Sequence, residues 1–175
     1  MRKVLYLLGQ LSDADVQWMG TAGARQTISS GAALITYGVH ASHIYIVLDG
    51  ELVIQSNTGV EFARVGTGEV LGEMSLLDAR PPSASVTAVS DVIVLALDKK
   101  VLKAKLDKDQ AFAARFYRSL AVFLSNRMRT TIANLGYGNA PEAEPEDPDE
   151  LDSNVLDNVH LAGARFDRLL KTLMG

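Results

Sequence analysis

The sequence predicts a mainly β protein with flanking helices, an antiparallel barrel or jelly roll. Two observations carry that prediction. Between Gln26 and Asp98, short apolar and β-branched runs are cut by turn signals at Gly31, Gly38, Asp49-Gly50, Asn57 to Gly59 and Gly66, recurring about every seven to twelve residues. A βαβ fold would instead interleave its strands with long helices. Outside that region the apolar period becomes helical on both sides.

Leu5 to about Ala24 reads as helix, with Ser12 an N-cap for the segment beginning at Asp13. The strands then run through "TISSGAALITYG", "HIYIVLDGELVIQSNTGVEFARVGTGEVLGE" and "SASVTAVSDVIVLALD". From Asp98, "DKKVLKAKLDKD" suits one short helix. Ala111 to about Leu135 suits a long one, with Tyr117, Leu120, Ala121, Leu124, Met128, Ile132 and Leu135 at steps of three and four. Arg115, Arg118, Arg127 and Arg129 read as its solvated side. "GYGNAPEAEPEDPDELD" then combines three prolines with a run of acids and buries too little apolar area to order itself, so it is expected to be a disordered linker. Val155, Val159, Ala162, Phe166, Leu169 and Leu173 follow at four-three-four-three-four spacing and predict a separate terminal amphipathic helix that must dock somewhere. The expected organisation is a folded module over 1–136, an acidic linker over 137–152 and the helix over 153–175.

Composition narrows the function. The chain has 175 residues, 47% of them hydrophobic, and a formal charge of −4, which argues against nucleic-acid binding as its main business. It has no cysteine, which removes thiol chemistry and suits a reducing cytoplasm. The apolar run Val4 to Leu8 is too short for a signal peptide, and no stretch approaches the roughly twenty apolar residues of a membrane span. A cytoplasmic protein is expected. His40 and His43 lack a partner at metal-ligand spacing, and His160 is far away, so no metal site is expected. No nucleophile–base–acid spacing stands out, so no catalytic residues are assigned. "GTGEVLG" (Gly66, Gly68, Gly72) fails as a dinucleotide fingerprint because its last step is one residue too long and no long helix follows.

One stretch points to a ligand. "GEMSLLDARPPSASV", residues 72–86, sets a glycine turn and an acid before a short apolar helix, then small hydroxyl residues on a strand. A helix beginning near Met74 and Ser75 offers backbone N–H groups to an anion. Gly72 permits a close backbone approach. Along the strand, Ser83, Ser85 and Thr87 share one face while Ala84, Val86 and Ala88 share the other.

Together with "LGQLSDADVQWM" and "YGVHASHIYIVLDGELVI", this stretch resembles the cyclic nucleotide-binding domain family over roughly residues 3 to 135. The resemblance implies an eight-stranded β-roll flanked by helices, holding a cyclic nucleotide (cyclic AMP or cyclic GMP) with no further cofactor, while the departure at Pro82 described below leaves an altered cyclic nucleotide, a cyclic dinucleotide or a different small anion equally open. It implies ligand contacts at Gly72, Glu73, Met74, Ser75, Ser83, Ala84 and Ser85. Glu73 is either the acceptor for a ribose 2′-hydroxyl or a cap on the short helix. Ser83 and Ser85 are either ligand contacts or ordinary turn and strand hydroxyls. Thr130 and Thr131 lie where the family's long helix can present a polar residue to the purine, or else on a solvated surface.

The sequence departs from the family at one place. Where an arginine clamps the cyclic phosphate, this chain has Pro82, which brings neither charge nor N–H donor. Losing one side of a desolvated charge pair costs about 2–5 kcal/mol, or roughly thirty- to several-thousand-fold in affinity. Arg80 is the nearest substitute, though a Pro-Pro pair favours polyproline II and turns it aside; otherwise it is a solvated loop cation. Two functions follow as alternatives: a sensor that relays ligand binding through its C-terminal helices, or a ligand-silent dimerisation scaffold. The family often pairs its long helix with a twin, which implies a homodimer, and the terminal helix is a candidate element for a protein partner. No winged helix follows the long helix in this sequence, so a DNA-binding regulator of the Crp type is not expected.

Overall fold

The computed structural model describes residues 3–78, 80–134 and 159–174. Two helices open the chain, α1 (Lys3–Gln10) and α2 (Asp13–Ala22). Ser12 separates them as a capping box: its hydroxyl accepts from the Asp15 N–H at 3.2 Å, and its own N–H donates to Asp15 Oδ2 at 2.7 Å.

Eight strands follow: β1 (Ala24–Ile28), β2 (Ala33–Ile35), β3 (His43–Asp49), β4 (Glu51–Gln55), β5 (Glu61–Gly66), β6 (Val70–Leu71), β7 (Ser85–Ala88) and β8 (Val92–Asp98), with the short helix α3 (Met74–Leu77) between β6 and β7. They form two antiparallel sheets in the orders β1-β8-β3-β6 and β2-β7-β4-β5. This is the roll the turn spacing predicts. The Asp49-Gly50 signal is the β3–β4 hairpin, where Gly50 has φ +93° and a side chain would collide with the Asp91 carbonyl at 2.5 Å.

The two central strands of the first sheet are buried on both faces, which explains their unbroken apolar runs. On β3, Tyr45 and Val47 turn toward the second sheet and pack with Ile35, Leu52, Val65 and Val86. Ile44, Ile46 and Leu48 turn the other way, onto the helices. Strand β8 repeats the division, with Val92, Val94 and Ala96 between the sheets and Leu95 and Leu97 beneath the helices.

Helix α4 (Lys99–Lys108) begins at Asp98, whose Oδ1 accepts from the N–H groups of Lys100 and Val101. The long helix α5 (Gln110–Asn134) packs Phe112, Phe116, Leu120 and Phe123 into the helical core. Its apolar residues therefore divide between two faces. Leu120 joins the buried row, whereas Tyr117, Met128 and Ile132 are 46%, 64% and 42% exposed. Arg118 and Arg129 are exposed as expected, but Arg115 is not simply solvated: it forms a two-toothed ion pair with buried Asp15, at 2.7 and 2.9 Å.

The sequence left the docking place of the last helix open. The structure seats α6 (Val159–Met174) on α1 and α2. Ala162, Phe166 and Leu169 enter the same core as Leu7, Leu8 and Leu11. Arg165 donates to the carbonyl of Leu8 near the C-terminal end of α1 and pairs with Asp13, which also holds Arg168. Leu135, Val155 and the acidic segment 137–152 lie outside the described residues.

Candidate functional site: the cassette between β6 and β7

The cassette is built by a sharp turn and one buried acid. Gly72 takes φ +81° and lies against β3 so closely that a side chain would meet the His43 carbonyl at 2.7 Å. The chain can therefore leave β6 and enter α3 at once. The glycine is required by this approach to β3.

Glu73, the next residue, is 2% exposed. It stands at the N-cap position of α3, but its side chain makes no capping bond. Its carboxylate accepts from Arg127 at 2.8 Å. Arg127 also donates to Glu69 at 3.1 Å and to the carbonyl of Val70 at 3.2 Å, and its guanidinium lies 4.8 Å from the Phe123 ring centre. This corrects the sequence reading of Arg127 as a solvated cation. The helix ladder gave the signal: Phe112, Phe116 and Phe123 define the buried face of α5, and Arg127 stands one turn beyond Phe123 on that face.

A second cation was missed. Lys99, at the first turn of α4, is 8% exposed. Its ammonium donates to the Ala41 carbonyl at 2.7 Å and to the Ser75 hydroxyl. Ser75 in turn donates to the Gly72 carbonyl at 3.3 Å. Leu95 and Leu97 point toward the helical core, and the same two-residue step along β8 carries Lys99 inward.

Burial pushes the Glu73 carboxyl above its ordinary value; Arg127 and Lys99 pull against that shift, and Glu69 adds to it. Burial likewise lowers the Lys99 ammonium, with Glu73 opposing. The site is thus a desolvated acid flanked by two cations, one on each C-terminal helix of the module.

The remaining sequence candidates are placed less centrally. Met74 is exposed, Ser83 is exposed, and Ala84 is half-buried. Strand β7 turns Val86 and Ala88 into the inter-sheet core, so Ser85 and Thr87 occupy its other face. The Ser85 hydroxyl accepts from the Tyr37 N–H at 3.0 Å, and the Gly38 N–H donates to the Pro82 carbonyl at 2.9 Å. The loop after β2 thereby clasps the segment that follows the prolines. The Arg80 side chain is 83% exposed and lies 3.9 Å from the Asp78 carboxylate. Thr130 and Thr131 donate their hydroxyls to the carbonyls of Asn126 and Arg127, one turn back along α5. Among the described residues no cluster of histidines and acids is arranged to hold a metal.

A roll of two four-stranded sheets with a glycine–acid turn and short helix between β6 and β7 limits the choice of family, and residues 25–109 match the sequence profile of the cyclic nucleotide-binding domain. The chain belongs to the cyclic nucleotide-binding domain family. Relatives agree. The cyclic AMP receptor protein of Thermus thermophilus is 31% identical over 123 residues, covering 68% of this chain and 55% of that protein. The N-terminal domain of a transcriptional regulator from Streptomyces coelicolor A3(2) is 30% identical, with a TM-score of 0.60 over 73% of this chain and 94% of that one. A cyclic nucleotide-binding domain from Methylobacillus flagellatus shares the fold, with a TM-score of 0.69 at 22% identity over 82% of this chain and 84% of that one. The chain spans between 20% and 55% of the length of curated relatives that it matches. Among the described residues no helix is long and apolar enough to cross a membrane.

Proposed function

We propose that this chain is a non-catalytic, cytoplasmic sensor module in which a cyclic nucleotide competes with Arg127 for Glu73. One observation carries the reading: the acid at the family's ribose position is bonded directly to the long helix. A ribose 2′-hydroxyl offered to Glu73 displaces one guanidinium bond, and the displaced arginine belongs to α5. Binding energy spent in the cassette is thus converted into a change in how α5 lies on the roll. The name of the Thermus relative makes cyclic AMP the first ligand to try, with cyclic GMP beside it.

The outer face of α5 gives that change somewhere to go. Tyr117, Ala121, Leu124, Met128 and Ile132 step by four, three, four and four along a face the module leaves uncovered or half-covered. That spacing suits a second copy of the same helix and supports a homodimer. In this organisation residues 1–136 are the sensing module, 137–152 the tether and 153–175 the docked helix, which on release is open to a protein partner.

A ligand-silent scaffold is the second reading, and Pro82 favours it. No cation faces the cassette from that position, and Arg80 points to solvent. Calorimetry of the full chain against cyclic AMP, cyclic GMP and cyclic dinucleotides separates the two. Saturable binding of any one supports the sensor; heat from none of them leaves the scaffold.

A further inference from the structure

The cassette helix is held at two points, and only one of them belongs to the proposed relay. Arg127 grips Glu73 from α5. Lys99 grips Ser75, two residues further on, from α4. Lys99 is unusual in placing both its backbone and side chain on one loop: its N–H donates to the Ser42 carbonyl at 2.9 Å and its ammonium to the Ala41 carbonyl at 2.7 Å. It therefore joins the start of α4, the loop before β3 and α3.

A buried ammonium is costly unless it is bonded and opposed by a negative charge. Two bonds are present, and the acid whose field it feels is Glu73. The charged groups facing Glu73 are Arg127 from α5, Glu69 from the β5–β6 turn and Lys99 from α4; Lys103, one turn along α4, works against the charge on Lys99. If Arg127 leaves, Lys99 is the positive charge that stays with Glu73, because its bonds run to the roll and to α3 rather than to α5.

Resting on the nucleotide reading above, we propose that Lys99 is the positioning residue of the cassette. It pins α3 to the roll and supplies the fixed positive charge that keeps the Glu73 carboxylate ready for a ribose hydroxyl once Arg127 has moved. Arg127 is the movable partner and Lys99 the stationary one. In a cassette with Pro82 in place of the family's arginine, that role falls to a residue outside the cassette.

The test compares Lys99→Met, Lys99→Arg and Ser75→Ala in the full chain, first without nucleotide. The Glu73 carboxyl is titrated by carbon NMR, and amide exchange is followed across Met74–Leu77. Lys99→Met is expected to raise the Glu73 midpoint and to speed exchange in α3. Lys99→Arg keeps the charge and should hold the midpoint near that of the natural protein. Ser75→Ala should speed exchange while leaving the midpoint in place, a pattern that stands even if Lys99→Met does not fold. With cyclic AMP as probe, Lys99→Met should weaken binding about tenfold at neutral pH and shift the acid limb of the binding profile upward. An unmoved Glu73 midpoint in Lys99→Met, or unchanged α3 exchange in Ser75→Ala, overturns the proposal. If the natural protein binds neither cyclic AMP nor cyclic GMP, the nucleotide reading fails separately, and the ligand-free titration still decides whether Lys99 holds the cassette.

Discussion

Replacing Arg127 with methionine keeps most of the side-chain volume over Phe123 but leaves Glu73, only 2% exposed, and Glu69, 5% exposed, without the guanidinium between them. Removing one partner of a buried ion pair costs about 3–5 kcal/mol. Protonation sets a limit on that loss. Keeping a carboxyl neutral at pH 7, against an ordinary value of 4.5, costs about 3 kcal/mol at about 1.4 kcal/mol per unit. The variant should therefore lose about 3 kcal/mol at neutral pH and under about 1 kcal/mol near pH 5, where protonation is nearly free. Arg127 pulls the Glu73 carboxyl down against the upward push of burial, so without it the folded state holds the proton to higher pH and the variant's deficit grows as pH rises. Urea denaturation of both proteins at a series of pH values measures the difference. A loss below about 1 kcal/mol at pH 7, or one that does not shrink in acid, refutes the placement of Glu73 as a desolvated acid dependent on Arg127.

Restoring the family's arginine with Pro82→Arg should tighten cyclic AMP binding at least about tenfold, or about 1.4 kcal/mol, by calorimetry, and Glu73→Ala should abolish that gain. The Asp15 carboxyl sits below its ordinary value: burial opposes the shift, but bonds to Arg115 and Ser12 outweigh it. Its contribution is therefore present above the unfolded value and lost as pH falls through the folded one, so Asp15→Asn should flatten the acid limb of the stability profile measured by circular dichroism. Met128→Glu places a charge on the exposed α5 stripe, where Met128 is 64% exposed. It should yield a monomer by light scattering with the monomer's fold intact; a natural protein that is already monomeric at high concentration removes the dimer.

The fold was legible because its signals are local. Glycine turns at hairpin spacing, the Ser12 cap and the change of period after Asp98 each act within a few residues, and each lies where the chain places it. Glu73 was legible through its motif, but its surroundings were not. Arg127, which bonds it, and Lys99, whose charge it feels, stand 54 and 26 residues further along the chain, and only packing brings them together. Counting arginines on a helix said nothing about which face each occupied. The phenylalanine row of α5 did contain that information, since Phe123 and Arg127 lie one turn apart. Ser85 was visible as a hydroxyl, yet whether β7 turned it in or out depended on Val86 and Ala88 filling the space between the sheets.

The exchange of Arg127 for a ribose hydroxyl at Glu73 is tested most directly by calorimetry of cyclic AMP against its 2′-deoxy analogue, with the unsubstituted chain. A hydrogen bond to a charged group contributes about 1.5–3 kcal/mol; the Arg127 bond it displaces offsets part of that, so cyclic AMP should bind more tightly than the deoxy form by less than the roughly ten- to hundredfold an uncontested bond would give. Equal affinities for the two would contradict the assignment of Glu73 as the ribose acceptor.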